Sequence, residues 1–445
     1  MRTCLAIVGL LVLCSGWAPG QPRFPMERRD GDAIFTEAIA LPGPDSATIR
    51  VDLHLRIDYA FFIPVRDAQA EGPVVFARRG ELLVELQDSL GRSLDRTIRT
   101  IDIADDVSER TLEQRAWYQT TVSLKGSPGR HRFLIEIDDN ESDRKLIERG
   151  TTVNASAEPA LGPGSWVVLE GEEPSGGDGR VWLQNFGGEI LFGHRTSLLV
   201  RLPPGSAETV DAELSIRLDD DTDQLLPVVA DTLRGLSVQA SATLEPVAET
   251  GRIGYRLGTD GPVRCVIIPL PTASLPLRRY ALTLQVRDGT ERLPAEMKFR
   301  TLWPEMPYSL RDVDVALASL LYIVPEETLD SLKSGNFRER RRHLEQFWQA
   351  RDQTPGTIEN EVMTQYYRRV DYARQHFGTI RQPDGFRSDR GRIYVLLGKP
   401  TTTERDLDPQ AGFREIWTYS HLGKRFVFED RAKTGNYVLT AAEGQ

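Results

Sequence analysis

The sequence predicts a multidomain chain in which two all-β, immunoglobulin-like sandwich domains precede a C-terminal α+β domain. The chain has 445 residues, more than one ordinary core accommodates, since domains average about 100–200 residues. Short alternating segments separated by turn residues fill the first two thirds, and the hydrophobic period becomes helical after Trp303. The expected divisions are a signal segment at 1–20, β domains at 31–157 and 160–302, and the α+β domain at 303–445.

The amino terminus has the features of a secretory signal peptide. Arg2 supplies a positive charge, Leu5–Leu13 an apolar core, and Ala18-Pro19-Gly20 a small-residue cleavage site before Gln21. The apolar run is shorter than the ~20 residues that cross a bilayer. We therefore predict export to the periplasm or the cell exterior. The alternative is a lipoprotein anchored at Cys14, which the bulky residue before that cysteine disfavours.

The composition narrows the possible partners. The net charge of −10 argues against nucleic acid, because phosphate binding requires an excess of lysine and arginine. No segment after the signal is long and apolar enough to cross a membrane. Cys265 is the only thiol that remains after signal cleavage, so no internal disulfide is expected. Its strand-like neighbours predict a buried cysteine that acts as a small hydrophobe.

The first β domain is predicted from alternation and turns. Residues Arg50–Ile57 alternate polar with apolar side chains, which is typical of a half-buried strand. Glu81–Leu86 precedes the turn Asp88–Gly91, a hairpin signature that Thr120–Leu124 and its following turn repeat. Short strands with regular turns and no long helical segment favour an immunoglobulin-like sandwich.

The second β domain begins after a Pro/Gly-rich boundary at Pro159–Gly164. Its predicted strands are Trp166–Leu169, Arg180–Phe186, Ser197–Leu202, Glu213–Leu218, Ser237–Leu244, Val263–Leu270, Arg279–Val286 and Glu296–Leu302.

The third region combines helices with a small antiparallel sheet. Val313–Leu321 has helical spacing, Pro325 begins a second helix, and Gly335-Asn336 ends that helix and caps the next. The third predicted helix runs from Phe337 to about Arg351, with Phe337, Leu344, Phe347 and Trp348 as its apolar stripe and Arg338–Arg342 on its wet face. A fourth helix, capped by Thr357, is expected to end at Phe377. The predicted strands are Arg392–Leu397, Arg414–Tyr419, Arg425–Glu429 and Tyr437–Thr440.

Several spaced motifs of this region resemble the GWxTD domain family, whose members are bacterial exported proteins of uncharacterised function. The motifs are Trp303-Pro304, Phe347–Thr357, Asn360-Glu361, Tyr366–Val370 and Asp389–Arg392. Where the family has Gly-Trp-x-Thr-Asp, this chain has Gly385-Phe386-Arg387-Ser388-Asp389, so an aromatic residue and a hydroxyl are kept. The resemblance implies an envelope setting. It implies no reaction.

The best candidate for a binding site is the segment that contains Phe386, Ser388, Asp389, Arg390 and Arg392. Two arginines at alternate positions of a strand would project to one side and could bind a carboxylate or phosphate through two hydrogen bonds each. Gly391 would let a ligand or another backbone approach closely. Alternatively, Arg390 and Arg392 pair internally with Asp352, Glu361, Glu415 or Asp430 and hold helices on the sheet.

A catalytic interpretation uses the carboxylates of Asp352, Glu361 and Asp389 as acid and base. Capping and salt bridging are the competing roles. The histidines lack metal-ligand spacing, so no metal or cofactor is expected. The acidic segments Asp138–Glu141 and Asp219–Asp223 could bind calcium, but they lack EF-hand spacing and fit solvated turns.

Two functions follow as hypotheses. The first is a non-catalytic exported protein that binds or scaffolds another envelope protein or polymer, because no catalytic motif is present. The second is a hydrolase that acts on envelope material through the three carboxylates.

Overall fold

A computed structural model describes residues 33–43, 45, 47–66, 75–106, 116–155, 161, 164–171, 179–219, 227–355, 359–379, 382–408 and 412–444. The predicted signal segment and the predicted cap Thr357 lie outside these residues. The chain divides into two compact units, Gly31–Tyr372 and a second unit that contains Ala373–Gln445. Several sheets and few helices form the described part, consistent with a β-rich multidomain protein.

The first β region consists of two antiparallel sheets that share one apolar core. One sheet has the order β1-β2-β6, and the other has the order β3-β4-β7-β8 with β5 paired to β4. The core lies between them and includes Val51, Leu53, Val84 and Ile135. The strands are β1 (Ile34–Pro42), β2 (Ile49–Asp58), β3 (Val65–Arg66), β4 (Val75–Gln87), β5 (Ser93–Asp106), β6 (Trp117–Gly126), β7 (Gly129–Asp139) and β8 (Lys145–Ala155).

The predicted strand at Arg50–Ile57 is present as β2, but the expectation that it is half-buried is wrong. Its apolar side chains face the first core, and Asp52 and His54 on the opposite face are completely buried as well. The sheet of the second β region, described below, covers that polar face. Alternation identified the strand correctly, because a strand shows the same period whether its polar face meets water or a buried polar partner.

The second β region is a nine-stranded sheet with the order β11-β17-β16-β13-β14-β15-β12-β9 and with β10 paired to β15. Side chains from both ends of this sheet share one core, in which Val200 and Ile268 meet Leu214 and Leu284. Two strands are much longer than predicted, since β14 and β15 run through the segments expected to separate shorter strands. The strands are β9 (Trp166–Glu170), β10 (Arg180–Trp182), β11 (Ile190–Leu191), β12 (Thr196–Leu202), β13 (Thr209–Leu218), β14 (Val229–Glu249), β15 (Arg252–Leu270), β16 (Arg279–Asp288) and β17 (Glu291–Leu302).

The two β regions bury apolar surface against each other. Ile39 and Leu41 of β1 belong to the same core as Val167 of β9 and Val263 of β15. Cys265 lies in this core as predicted, and burial raises the pKa of its thiol to about 12. A protonated, buried thiol packs as a small apolar side chain.

A polar network at the same interface satisfies the buried face of β2. The Tyr255 hydroxyl donates to Asp52 Oδ2 (2.9 Å) and lies 3.0 Å from His54 Nε2. His54 Nδ1 lies 3.0 Å from the Thr121 hydroxyl, and Arg50 donates to Asp52 Oδ2 at 3.0 Å. Burial lowers the pKa of His54 to about 4, so its ring is neutral at pH 7. Together these side chains give each β region buried polar partners from the other.

Four helices complete the Gly31–Tyr372 unit or extend from it: α1 (Val313–Ser319), α2 (Glu326–Lys333), α3 (Phe337–Gln349) and α4 (Glu361–Phe377). Asn336 caps α3, as predicted, and Glu339 completes a capping box with it. Gly335 before it has a φ of 90°. Leu344, Phe347 and Trp348 are buried, but Phe337 is 57% exposed, so its place in the apolar stripe was wrongly predicted.

An aromatic cluster joins α1, α3 and α4. Trp348 Nε1 donates to the Tyr367 hydroxyl (3.1 Å), and the Tyr366 hydroxyl donates to the Ser319 carbonyl (2.6 Å). Asn360 donates to the Trp348 carbonyl at 2.8 Å. None of the helices in the described residues combines the length and apolarity needed to cross a membrane.

The Ala373–Gln445 unit contains a helix and a four-stranded antiparallel sheet with the order β18-β19-β20-β21. The sheet confirms the antiparallel prediction, although β18 was not predicted. The elements are α5 (Asp389–Leu397), β18 (Thr402–Asp408), β19 (Gly412–Tyr419), β20 (Lys424–Asp430) and β21 (Val438–Gly444).

A buried carboxyl group makes the stability of the β–β interface depend on pH. Glu37 on β1 accepts a hydrogen bond from the backbone N–H of Val168 (2.8 Å). Its second oxygen, Oε2, is buried and has no hydrogen-bond partner in the structure. Burial raises the pKa of Glu37 from 4.5 to about 8.

Glu37 is therefore expected to stabilise the fold at acidic pH and to lose this contribution as the pH rises from 4.5 to about 8. In that window the folded chain holds a proton that the unfolded chain releases, so a rise in pH favours unfolding. Replacing Glu37→Gln removes the titration and should flatten the fall in stability, measured by denaturant unfolding at successive pH values. His54 titrates in both proteins and cancels in the difference. Parallel pH profiles for the two proteins would contradict this assignment.

Candidate functional site

The segment that contains the candidate binding residues begins a helix, not a strand. The predicted strand Arg392–Leu397 is wrong, because Asp389–Leu397 forms α5. Ser388 caps this helix, and its hydroxyl oxygen accepts a hydrogen bond from the backbone N–H of Gly391 (3.0 Å). Residues two apart in a helix point about 200° apart. Arg390 and Arg392 therefore do not project to one side as expected.

Phe386 and Gly391 have packing roles. Phe386 is 2% exposed. A Cβ atom added to Gly391 would lie 2.1 Å from the Gly385 carbonyl oxygen. The predicted close approach at Gly391 is thus made by the chain's own backbone, which packs the turn at Gly385–Arg387 against the start of α5.

Arg390 lies at the centre of a mostly buried network. It donates to Glu415 Oε2 (3.1 Å) and to the Gly435 carbonyl (3.3 Å). Its guanidinium carbon is 4.0 Å from the centroid of the Tyr437 ring and 5.0 Å from that of Phe377. Burial lowers the pKa of Arg390, while the Glu415 carboxylate opposes that shift. Glu415 was one of the four predicted partners, so the internal pairing is present for this arginine.

Asp389 and Arg392 form a more exposed pair. Arg392 Nη2 lies 3.7 Å from Asp389 Oδ1, one helical turn away, and the arginine side chain is 43% exposed. Asp389 Oδ2 also accepts a hydrogen bond from the backbone N–H of Leu439 (2.8 Å). Asp389 therefore connects α5 to β21. Arg392 has the most exposed side chain of the three charged candidate binding residues.

The other two candidate carboxylates contact Thr354. Asp352 Oδ1 accepts a hydrogen bond from the Thr354 backbone N–H (2.9 Å), and the Thr354 hydroxyl donates to Glu361. Glu361 is the first residue of α4, where its negative charge interacts favourably with the helix dipole. These contacts organise the start of α4. They are the contacts expected of capping residues.

The acidic segments also form local turn contacts. Asp139 accepts hydrogen bonds from the backbone N–H of Ile63 (3.2 Å) and from the Ser142 hydroxyl (2.5 Å). Of Asp219–Asp223, only Asp219 lies in the described residues, and it pairs with Lys298 at 2.7 Å. No group of three or more potential metal ligands occurs in the part of the chain that the structure describes.

Sequence reasoning missed the two rings around Arg390 and the helix that carries it. Phe377 and Tyr437 are far from Arg390 in the chain, so local patterns could not identify them. The helix did have a signal: Ser388 followed by Asp389 is an N-cap residue with an acidic residue in the first turn. Gly398 follows the last helical residue with a φ of 81°. Read together, these residues indicate a helix between two turns.

We expect Glu415→Ala to destabilise the Ala373–Gln445 unit by about 3–5 kcal/mol, because the change leaves the buried Arg390 charge without its carboxylate. It also removes the acceptor of the Trp417 indole N–H (2.8 Å). The matched control is Glu429→Ala, which breaks the exposed pair with Arg431 and should cost about 1 kcal/mol or less. Denaturant unfolding monitored by tryptophan fluorescence measures both effects. Equal losses would contradict the proposed role of Glu415.

Comparison with solved structures gives distant likenesses. The C-terminal domain of the Streptococcus agalactiae AgI/II polypeptide BspA is 8% identical and matches 60% of this chain and 100% of its own, with a TM-score of 0.14. The C-terminal domain of the Streptococcus pyogenes antigen I/II-family protein AspA has the same identity, coverage and TM-score. The Escherichia coli adhesin CfaE is 9% identical and matches 60% of this chain and 87% of its own, with a TM-score of 0.13. TM-scores this low carry no argument. No curated protein matches the chain.

The family comparison agrees with the motifs in the last third of the sequence. The model of the GWxTD domain matches residues 288–443. This range contains β17, the five helices and the four-stranded sheet. It also contains Phe386 and Ser388, which stand where the family has tryptophan and threonine. The chain is therefore a GWxTD domain-containing protein.

Proposed function

We propose that this protein is an exported, non-catalytic envelope protein that binds or scaffolds another envelope protein or polymer. One observation carries the proposal: each carboxylate nominated for acid–base chemistry is held by a nearby hydroxyl, backbone N–H or arginine. Asp352 and Glu361 contact Thr354, and Asp389 contacts Leu439 and Arg392. A general acid or base must exchange its proton with a reacting group. Carboxylates used as caps and clamps are suited to holding structure.

The binding surface that we propose is the exposed side of α5 around Arg392. Phe386, Ser388, Asp389 and Arg390 position this surface through packing, capping and ion pairing. Arg392 retains an accessible guanidinium that can bind a carboxylate or phosphate of the partner.

We further infer that the β regions are immunoglobulin-like sandwiches that present the C-terminal domain. In the first region two sheets face each other across one core, and in the second the two ends of one sheet do so. Such sandwiches are common scaffolds for binding loops and attached domains. The export part of the proposal rests on the apolar N-terminal segment and its small-residue cleavage site.

The proposal is tested by producing the full chain in a bacterium with a cell envelope and recovering the mature protein. Amino-terminal sequencing should begin at Gln21, and Arg392→Ala should weaken co-sedimentation with isolated envelopes by about tenfold, the loss expected for one charge-assisted hydrogen bond. Arg425→Ala is the matched control, since Arg425 is 44% exposed and pairs with Glu443. It should bind like the parent protein.

Two results would overturn the proposal. Equal binding by the Arg392→Ala and parent proteins would remove α5 as the binding surface. If the parent protein releases soluble fragments from the envelopes and the Asp389→Asn variant does not, the hydrolase hypothesis is established instead.

A further inference from the structure

Six arginines line a single cleft in the Gly31–Tyr372 unit. The cleft has a volume of about 1030 Å³ and lies between the start of α3 and the adjoining ends of β16 and β17. The arginines are Arg278, Arg279, Arg300, Arg338, Arg341 and Arg342. In a chain with a net charge of −10, this concentration of positive charge in a concave surface is unusual and focuses the electrostatic field there.

The helix α3 directs its arginines into the cleft through its period. Arg338, Arg341 and Arg342 line the cleft, whereas Leu344 and Trp348, which lie on the adjoining side of the helix, are buried. Arg340 belongs to the same run of arginines but pairs with Asp314 at 3.0 Å and does not line the cleft. Of these arginines, Arg340 therefore forms an internal ion pair, and the other three line the cleft.

The positive charges of the cleft exceed the carboxylates beside them. Arg300 pairs with Glu189 (2.9 Å), and Arg341 pairs with Glu345 (3.1 Å). Arg278, Arg338 and Arg342 form no ion pair with any carboxylate in the described ranges. All three residues are exposed, so the fold does not require their charges to be neutralised. They are available to an anion.

The chemistry of the ligand follows from the arginines. A guanidinium group binds a planar or tetrahedral anion through two parallel hydrogen bonds. Several such groups in one cleft favour a ligand that carries several negative charges. Ligand sites typically measure about 300–1,000 Å³, so this cleft accommodates more than one monomer of a polymer. A multivalent, extended anion fits both the charge and the volume.

The remaining lining residues favour a sugar polymer over an acidic peptide. Phe337, whose ring is largely exposed, and Leu277 supply apolar surface beside the guanidinium groups, and the apolar face of a pyranose ring packs on such surface. A peptide that adds a strand needs an unpaired sheet edge. At the cleft, β17 is already paired with β16 through Arg279 and Arg300 and with β11 through Thr301 and Ile190.

We propose that this cleft binds an anionic polysaccharide, whose carboxylate groups contact the arginines. The proposal deepens the proposed function and rests on it only in assuming that the protein meets envelope polymers. The cleft supplies recognition by charge, and Phe337 supplies stacking on the sugar ring. The residues involved differ from those of the α5 surface, so the two sites can be tested separately.

The test is calorimetric titration of the full chain with four probes: hexagalacturonate, its fully methyl-esterified form, hexaglutamate and hexathymidylate. We expect hexagalacturonate to bind and its uncharged ester not to bind. The double variant that combines Arg338→Ala and Arg342→Ala should bind hexagalacturonate about 100-fold more weakly, because two charge-assisted contacts are lost. Phe337→Ala should weaken hexagalacturonate binding as well.

The matched control is the double variant Arg234→Ala with Arg292→Ala, which removes the same charge at two exposed positions that do not line the cleft. It should bind like the parent protein. Equal weakening in the two double variants would overturn the cleft as the site, and tighter binding of hexaglutamate or hexathymidylate would overturn the ligand class. Lack of binding by all four probes would overturn the proposal altogether.

These outcomes are distinguishable from failure of the proposed function. Calorimetry reports on the cleft in purified protein, whereas the Arg392→Ala comparison reports on α5 with whole envelopes. Because Arg338 and Arg342 are exposed on a helix, alanine at both positions should preserve the fold, and the thermal denaturation midpoint of each variant checks this. Cleft binding that persists when Arg392→Ala has no effect would support the cleft and reject the α5 surface.

Discussion

The phenol of Tyr255 and the polar face of β2 form the contact on which the largest part of this molecule depends. Asp52 and His54 are completely buried and belong to the first β region, while Tyr255 belongs to the second. A shift of one region against the other that kept them packed would leave a buried carboxylate, an imidazole and a phenol without these partners. Because an unsatisfied buried polar group costs about 1–3 kcal/mol, the network favours one relative position of the two regions. The adjoining core around Ile39 and Val263 adds apolar burial to that preference.

Arginine has three different roles in this protein, and its surroundings decide among them. Arg56 is buried at the β–β interface, where it lies 3.8 Å from the centroid of the Phe186 ring and donates to the Gln184 carbonyl. Arg390 is held between two rings and a carboxylate in the C-terminal unit. Arg338 and Arg342 are exposed in a cleft with few carboxylates. The first two arginines stabilise structure, and the last two are free to contact a ligand.

Local sequence patterns predicted the secondary structure more accurately than they predicted the contacts between distant residues. The capping of α3 by Asn336 and the antiparallel C-terminal sheet follow from short-range signals, and both were predicted correctly. The helix α5 was missed because its alternating arginines were interpreted as strand residues, although Ser388 and Asp389 are typical of a helix start. The burial of Asp52 could not be predicted, since it depends on Tyr255, 203 residues away. The same limit hid the cleft, whose arginines come from separate parts of the sequence.

The most direct test of this account is native-state hydrogen exchange, followed by mass spectrometry, on the parent protein and on Tyr255→Phe. If the network joins the two β regions, amides of β2 and β15 should open with the same free energy. The substitution should then lower both values equally, by about 1–3 kcal/mol. A change confined to β15, or different opening free energies for the two strands in the parent protein, would contradict the account.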